Sequence, residues 1–214
     1  ILSAGSTASV KSVTLDINFL DVLKSNAAHE ATAKAVGIDS GAGKDSIFNS
    51  GTVTATADAS TEAWTGEFNA IDVAIGDFSS TTSAEAIGIA TGSGKDTIDN
   101  AGTISAAATA DALVGNFTLT MIDFTAISDI MDTVGSASTD VDAVAVGITS
   151  GIQDDTIISS GDIAASATTE AISIAVGVGA EGIPAGVPQG DIVEFENLAS
   201  AGVYVDSIAA GIDS

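Results

Sequence analysis

The chain has 214 residues, with 5 Lys+Arg against 29 Asp+Glu, a formal net charge of −24, no cysteine and a single histidine. Nucleic-acid phosphates are repelled by such a surface and need clustered Lys and Arg to be held by counterion release, so direct nucleic-acid binding is excluded. Absent cysteine excludes disulfide frameworks, zinc–thiolate clusters and thiol nucleophiles, and one histidine excludes multi-histidine metal centres.

Mean hydropathy is +0.43, yet membrane insertion is not expected. The longest uncharged apolar stretches, Ala112–Ile122 and Ala171–Ala180, fall well short of the ~20 residues a spanning helix needs. The opening at Ile1, without a basic and then apolar leader, is what a processed or excised segment would show. Ile and Val together number 41 against 7 Leu, so the apolar surface is β-branched and suits pleated sheet.

In chain order, residues 1–10 form a partial repeat, with Ile1–Thr7 aligned on Ile98–Ile104. A strand follows at Val13–Leu23, and the first full repeat core spans 33–59. Within it, Val53, Ala55, Ala57 and Ala59 alternate with Thr52, Thr54, Thr56 and Asp58, which predicts one buried and one wet face. The segment Ala35–Val53, Ala-Val-Gly-Ile-Asp-Ser-Gly-Ala-Gly-Lys-Asp-Ser-Ile-Phe-Asn-Ser-Gly-Thr-Val, returns 51 residues later as Ala86–Ile104 inside a second core at 84–112. A looser copy, Ala145–Ile163, follows after a further 59 residues inside a third core at 143–171. Residues 177–190, with both prolines, predict a projecting loop, and residues 207–214 a last partial repeat in which Gly211–Ser214 aligns on Gly37–Ser40. Self-similarity of this kind predicts a single solenoid array over 1–214.

The pattern at Ala33–Val53 and Ala84–Ile104 resembles repeats of large bacterial surface proteins, the β-solenoid adhesins and autotransporter passenger domains. The resemblance implies an extracellular or cell-surface, elongated, non-catalytic stalk or filament. The fold expected is all-β, a right-handed parallel β-solenoid (β-helix) of about four imperfect repeats, each one wide rung or two coils.

The turns Gly41–Ile47 and Gly92–Ile98 are not phosphate loops, because Asp45 and Asp96 stand where magnesium-holding Ser or Thr would follow the lysine. They partly match the Gly-rich nonapeptide of calcium-binding RTX β-rolls, lacking its first glycine. Stacking would bring Asp45, Asp96 and Asp155 into a column whose like charges need a counter-ion, so calcium is the one cofactor suggested, with Asp154 beside it. The competing expectation is that Lys44 and Lys95 neutralise the column while the glycines supply a positive φ. Asn49, Asn100 and Ser159 occupy equivalent places and predict an amide ladder along the stack. Adjacent Asp154 and Asp155 should point to opposite faces of a strand, which argues against paired carboxylate catalysis. His29 is expected at the surface, and Asn116-Phe117-Thr118 is a lone glycosylation sequon within chance expectation.

Charge is uneven: all five lysines lie within residues 1–95, and residues 96–214 hold 18 acids and no base. The expected function is a structural subunit of an extracellular filament or surface stalk, a homo-oligomer joined head to tail by strand stacking. A calcium-dependent adhesive module is the alternative, and a carbohydrate-active β-helix enzyme the third.

Overall fold

The computed structural model describes residues 1–18, 23–69, 74–121, 134–180, 195–196 and 198–213, all in strands or the turns between them. Its strands are β1 (Leu2–Asn18), β2 (Leu23–Asp39), β3 (Ser46–Asn49), β4 (Thr52–Asn69), β5 (Ala74–Ala90), β6 (Thr97–Asn100), β7 (Thr103–Met121), β8 (Val134–Thr149), β9 (Thr156–Ser159), β10 (Ile163–Ala180), β11 (Phe195–Glu196) and β12 (Leu198–Asp213). They form three sheets. Sheet A runs β1-β4-β7-β10-β11, sheet B β2-β5-β8-β12 and sheet C β3-β6-β9, with every pairing parallel except the two-residue β10–β11 contact. The chain therefore passes from A to B to C and back to A one strand further on. This is an all-β fold of stacked parallel sheets, consistent with a β-helix.

Each pass is one wide rung. Leu2, Val53, Ile104 and Ile163 form one file in sheet A, and Ile38, Ile89, Ile148 and Ile212 another in sheet B. Four residues (19–22 and 70–73) join the long strands of the first two rungs and twelve (122–133) join those of the third. Those eight extra residues account for the change of repeat spacing from 51 to 59.

Residue size along the strands sets the shape of the core. Between sheets A and B, Ala55, Ala57, Ala59, Ala106, Ala108 and Ala110 meet Ala33, Ala84, Ala86, Ala143 and Ala145, so the layer is thin and dry. Where all three sheets meet, the β-branched side chains of each rung's sheets B and C join the first inward residue of the next rung's sheet A strand: Ile38 and Ile47 with Val53, then Ile89 and Ile98 with Ile104, then Ile148 and Ile157 with Ile163. These wider residues fill the triangular corner that Ala could not. At the opposite end, Phe78 packs with Ala63, Val114 and Ala137.

The bend beside the corner requires glycine. A Cβ at Gly88 would run into Ile104 Cγ2 and the Gly147 carbonyl, and Gly37 and Gly147 face the same obstruction in their rungs. Beyond it, Gly43 (φ 142°) and Gly94 (φ 151°) take the left-handed region, and Gln153 (φ 130°) occupies the equivalent place in the third turn.

Two expectations are corrected. Residues 177–180 are not loop but the end of β10, paired with Thr118–Met121; the rest of 177–190 lies outside the described residues. The N-terminal segment aligns five residues away from the expected place, because Leu2 pairs with Val53 and so lies in the file of Ile104. Its Ser-Ala-Gly composition matches two parts of the repeat, and only the inward position of Leu2 separates them.

Candidate functional site

The Gly–Asp turns do stack. The backbone N–H of Asp45 donates to Asp96 Oδ1 at 2.8 Å, and that of Asp96 donates to Asp155 Oδ1 at 2.8 Å. Asp96 and Asp155 each thus satisfy the amide of the turn before, a reason for aspartate at those two places that does not call for an ion. The Oδ2 atoms of Asp45, Asp96 and Asp155 are buried without a hydrogen-bond partner, and Asp96 as a residue is 2% exposed. Among the described residues, no three His, Cys, Asp or Glu side chains converge as a metal site.

The lysines stand elsewhere. Lys95 Nζ lies 3.4 Å from Asp154 Oδ2, both side chains largely in water, so it neutralises the residue beside the column and not the column itself. Lys44 is exposed. Asp154 is likewise exposed while Asp155 is half-buried in the column; both lie in the turn before β9 and not on a strand, and both line one open depression with Ser150 and Gln153.

The amide ladder is present as expected. Asn49 Nδ2 donates to Asn100 Oδ1 at 2.7 Å, and Asn100 Nδ2 donates to Ser159 Oγ at 3.1 Å. Asn49 Oδ1 also accepts the Gly51 N–H at 3.1 Å. Asn49 and Asn100 are buried, so the ladder ties three rungs together where the chain turns from sheet C into sheet A.

One residue departs from expectation. His29 is half-buried, its ring stacked on Phe78 at 5.2 Å between centroids, because it occupies an inward position of β2. Asn116 is 2% exposed and its Nδ2 donates to the Gly76 and Ser136 carbonyls at 3.2 and 2.9 Å, which removes the sequon from the folded surface. Asn116 belongs to a polar patch of the interior with Thr65, Glu67 and Thr118. Extending the inward phase of Val53–Ala63 by two more pairs would have placed Thr65 and Glu67 inside.

Electrostatics on the outer faces follows the files. Burial, then the Glu170 and Asp58 carboxylates, push Asp111 above its ordinary value. Burial, then Asp140 and Asp206, push Asp142 up in the same direction on sheet B. Lys11 and Lys34 bridge from the first rung to Glu62 and Glu85 of the second, at 2.8 and 2.6 Å.

The ends of the stack are the other candidate surface. Among the described residues β1, β2 and β3 pair on one side only, as do β9 and β12, while β10 has only a two-residue partner on its outer side. No known protein family, curated protein or solved structure matches the chain. No helix among the described residues is long and apolar enough to cross a membrane.

Proposed function

We propose that the chain is a non-catalytic, right-handed β-solenoid building block of an extracellular filament or surface stalk, extended end to end by β-strand stacking. The observation that carries this reading is the pair of open ends. Every file of the core, from the Ile corner to the Ala layer, reaches both terminal rungs, where Leu2 and Ile212 are about half exposed. Unpaired parallel edges backed by apolar files are templates for a further rung, whether from the same polypeptide or from a second copy. A heterologous contact of that kind does not close and so grows a filament.

The test is negative-stain imaging and sedimentation of the purified chain beside a variant with proline at Ile208 and Ile212, which removes edge donors of β12. The expected result is polymer from the parent and monomer from the variant, with unchanged circular dichroism. A parent chain that stays monomeric at high concentration would overturn self-assembly.

The second reading is a calcium-dependent binding module, favoured by the buried second oxygens of Asp45, Asp96 and Asp155. Calcium bound there would raise the melting temperature by mass action, and chelator would lower it. Melting curves that coincide in calcium and chelator refute this reading.

A further inference from the structure

Sheet A has a two-part outer face. Near the corner it carries Thr54, Thr56, Asp58, Ser105 and Thr109, ordinary wet-face residues. Toward the other end the same outward phase carries Val13, Leu15, Trp64, Phe117, Ile172 and Ile174, from 40% to 82% exposed. The registers make this one surface: Val13, Trp64, Gly115 and Ile174 form one file across four strands, and Leu15, Gly66, Phe117 and Val176 the next. Trp64 is laid flat on it, since a Cβ at Gly115 would run into its indole ring. The outer face of sheet B, by contrast, carries Asp77, Glu85, Asp140, Asp142 and Asp206.

The size is sufficient for a partner. At about 200 Å² for a free large apolar side chain, those six residues leave roughly 600 Å² of apolar surface in water, the upper end of what a monomer exposes in one patch. Two such faces packed together would bury about 1,200 Å², the lower bound of a specific stable interface.

Charge selects the occupant. The rim of the patch on β1 holds Lys11, while the same rim on β7 and β10 holds Asp111 and Glu170, which are register partners. Lys11, Asp111, Leu113, Glu170 and Ile172 line one shallow depression there. Within one copy the two acids face each other and Asp58, while Lys11, three strands away from Glu170, is paired with Glu62. A two-fold rotation about an axis parallel to the strands keeps strand direction and reverses strand order. It lays β1 over β10 and β4 over β7, and brings each Lys11 to the other copy's acidic rim.

We propose that the apolar half of the outer face of sheet A is the docking surface for a second copy of this chain, packed face to face about that axis with Lys11 of each copy against Glu170 of the other. The packing is the aligned sheet-on-sheet arrangement. It is lateral, uses neither end of the stack, and does not depend on filament growth.

The test is a charge exchange on the full chain. Lys11→Glu and Glu170→Lys each place like charges at both rim contacts, whereas an equimolar mixture of the two variants restores two opposite-charge contacts. Sedimentation equilibrium should give a concentration-dependent dimer for the parent, at least tenfold weaker self-association for either variant, and recovery in the mixture. Trp64 emission should shift to the blue with the dimer. Both positions are exposed, so neither variant threatens the fold. If the parent polymerises, filament width reports the lateral contact: the variants should give filaments of half the parent's width. Three results would overturn the proposal: variants that associate like the parent, a mixture that does not recover, or Trp64 already shielded in a monomer at every concentration.

Discussion

Truncating Ile104 to Ala tests the inside–outside phase and the stacking together. Ile104 is fully buried in the triangular corner against Val53, Ile89, Ile98 and Ile148. Removing three carbons forfeits about 0.8 kcal/mol each in transfer energy, or about 2.4 kcal/mol. A cavity term of about 24 cal/mol per Å³ adds up to about 2 kcal/mol if the corner stays open. It should stay largely open, because β7 is held by hydrogen bonds to β4 on one side and β10 on the other and cannot move inward. The expected loss is therefore about 3–4 kcal/mol. Ile163→Ala, one rung further in the same file but only half-buried, should cost about 1–2 kcal/mol. Thr103→Ala, the exposed neighbour, should cost under about 0.5 kcal/mol. Urea unfolding measures all three as a shift of midpoint at constant m. Equal losses at Ile104 and Thr103 would refute the phase, and equal losses at Ile104 and Ile163 would refute the idea that the interior rungs are the tightest.

The remaining predictions concern single polar and backbone positions. Asn100→Ala should cost about 1–3 kcal/mol in the same urea assay, because it leaves Asn49 Nδ2 without the acceptor it meets at 2.7 Å. Gln153→Gly should stabilise by about 1 kcal/mol, relieving a positive φ that the equivalent Gly43 and Gly94 tolerate; a lower midpoint would mean that the side chain contributes contacts outweighing the strain. Asp111 and Asp142 have raised carboxyl pKa values, so the folded state binds protons more readily than the unfolded one at these sites. Their contribution therefore destabilises above the raised folded values and is relieved as pH falls through them towards the ordinary aspartate range. Asp111→Asn and Asp142→Asn should raise the melting temperature slightly at pH 7 and leave it unchanged at pH 3; a decrease at pH 7 would refute the repulsion.

Legibility in the sequence tracked how strongly one physical constraint dominated a position. Where one face must be buried, a single residue of slip inverts every side chain, so the alternation Val53-Ala55-Ala57-Ala59 specified its phase on its own. The Gly–Asp turn repeated because Asp96 and Asp155 each accept the amide of the turn before and each Gly must clear a backbone, and that double demand left a motif visible across 51 and 59 residues. The N-terminal register was illegible because Ser, Ala and Gly satisfy several positions of the repeat equally, and pairing with β4 decides among them. Lys95 was misplaced for a related reason: its spacing from Asp96 fixes sequence distance, whereas stacking places Asp154, 59 residues away, within its reach. The apolar outer face of sheet A was hidden most deeply. Val13, Trp64, Phe117 and Ile174 lie far apart in the chain within the variable stretches between repeat copies, and only the strand registers bring them onto one surface. A repeat protein conserves its inward files by self-similarity, so a surface built for an outside partner is found where its copies differ.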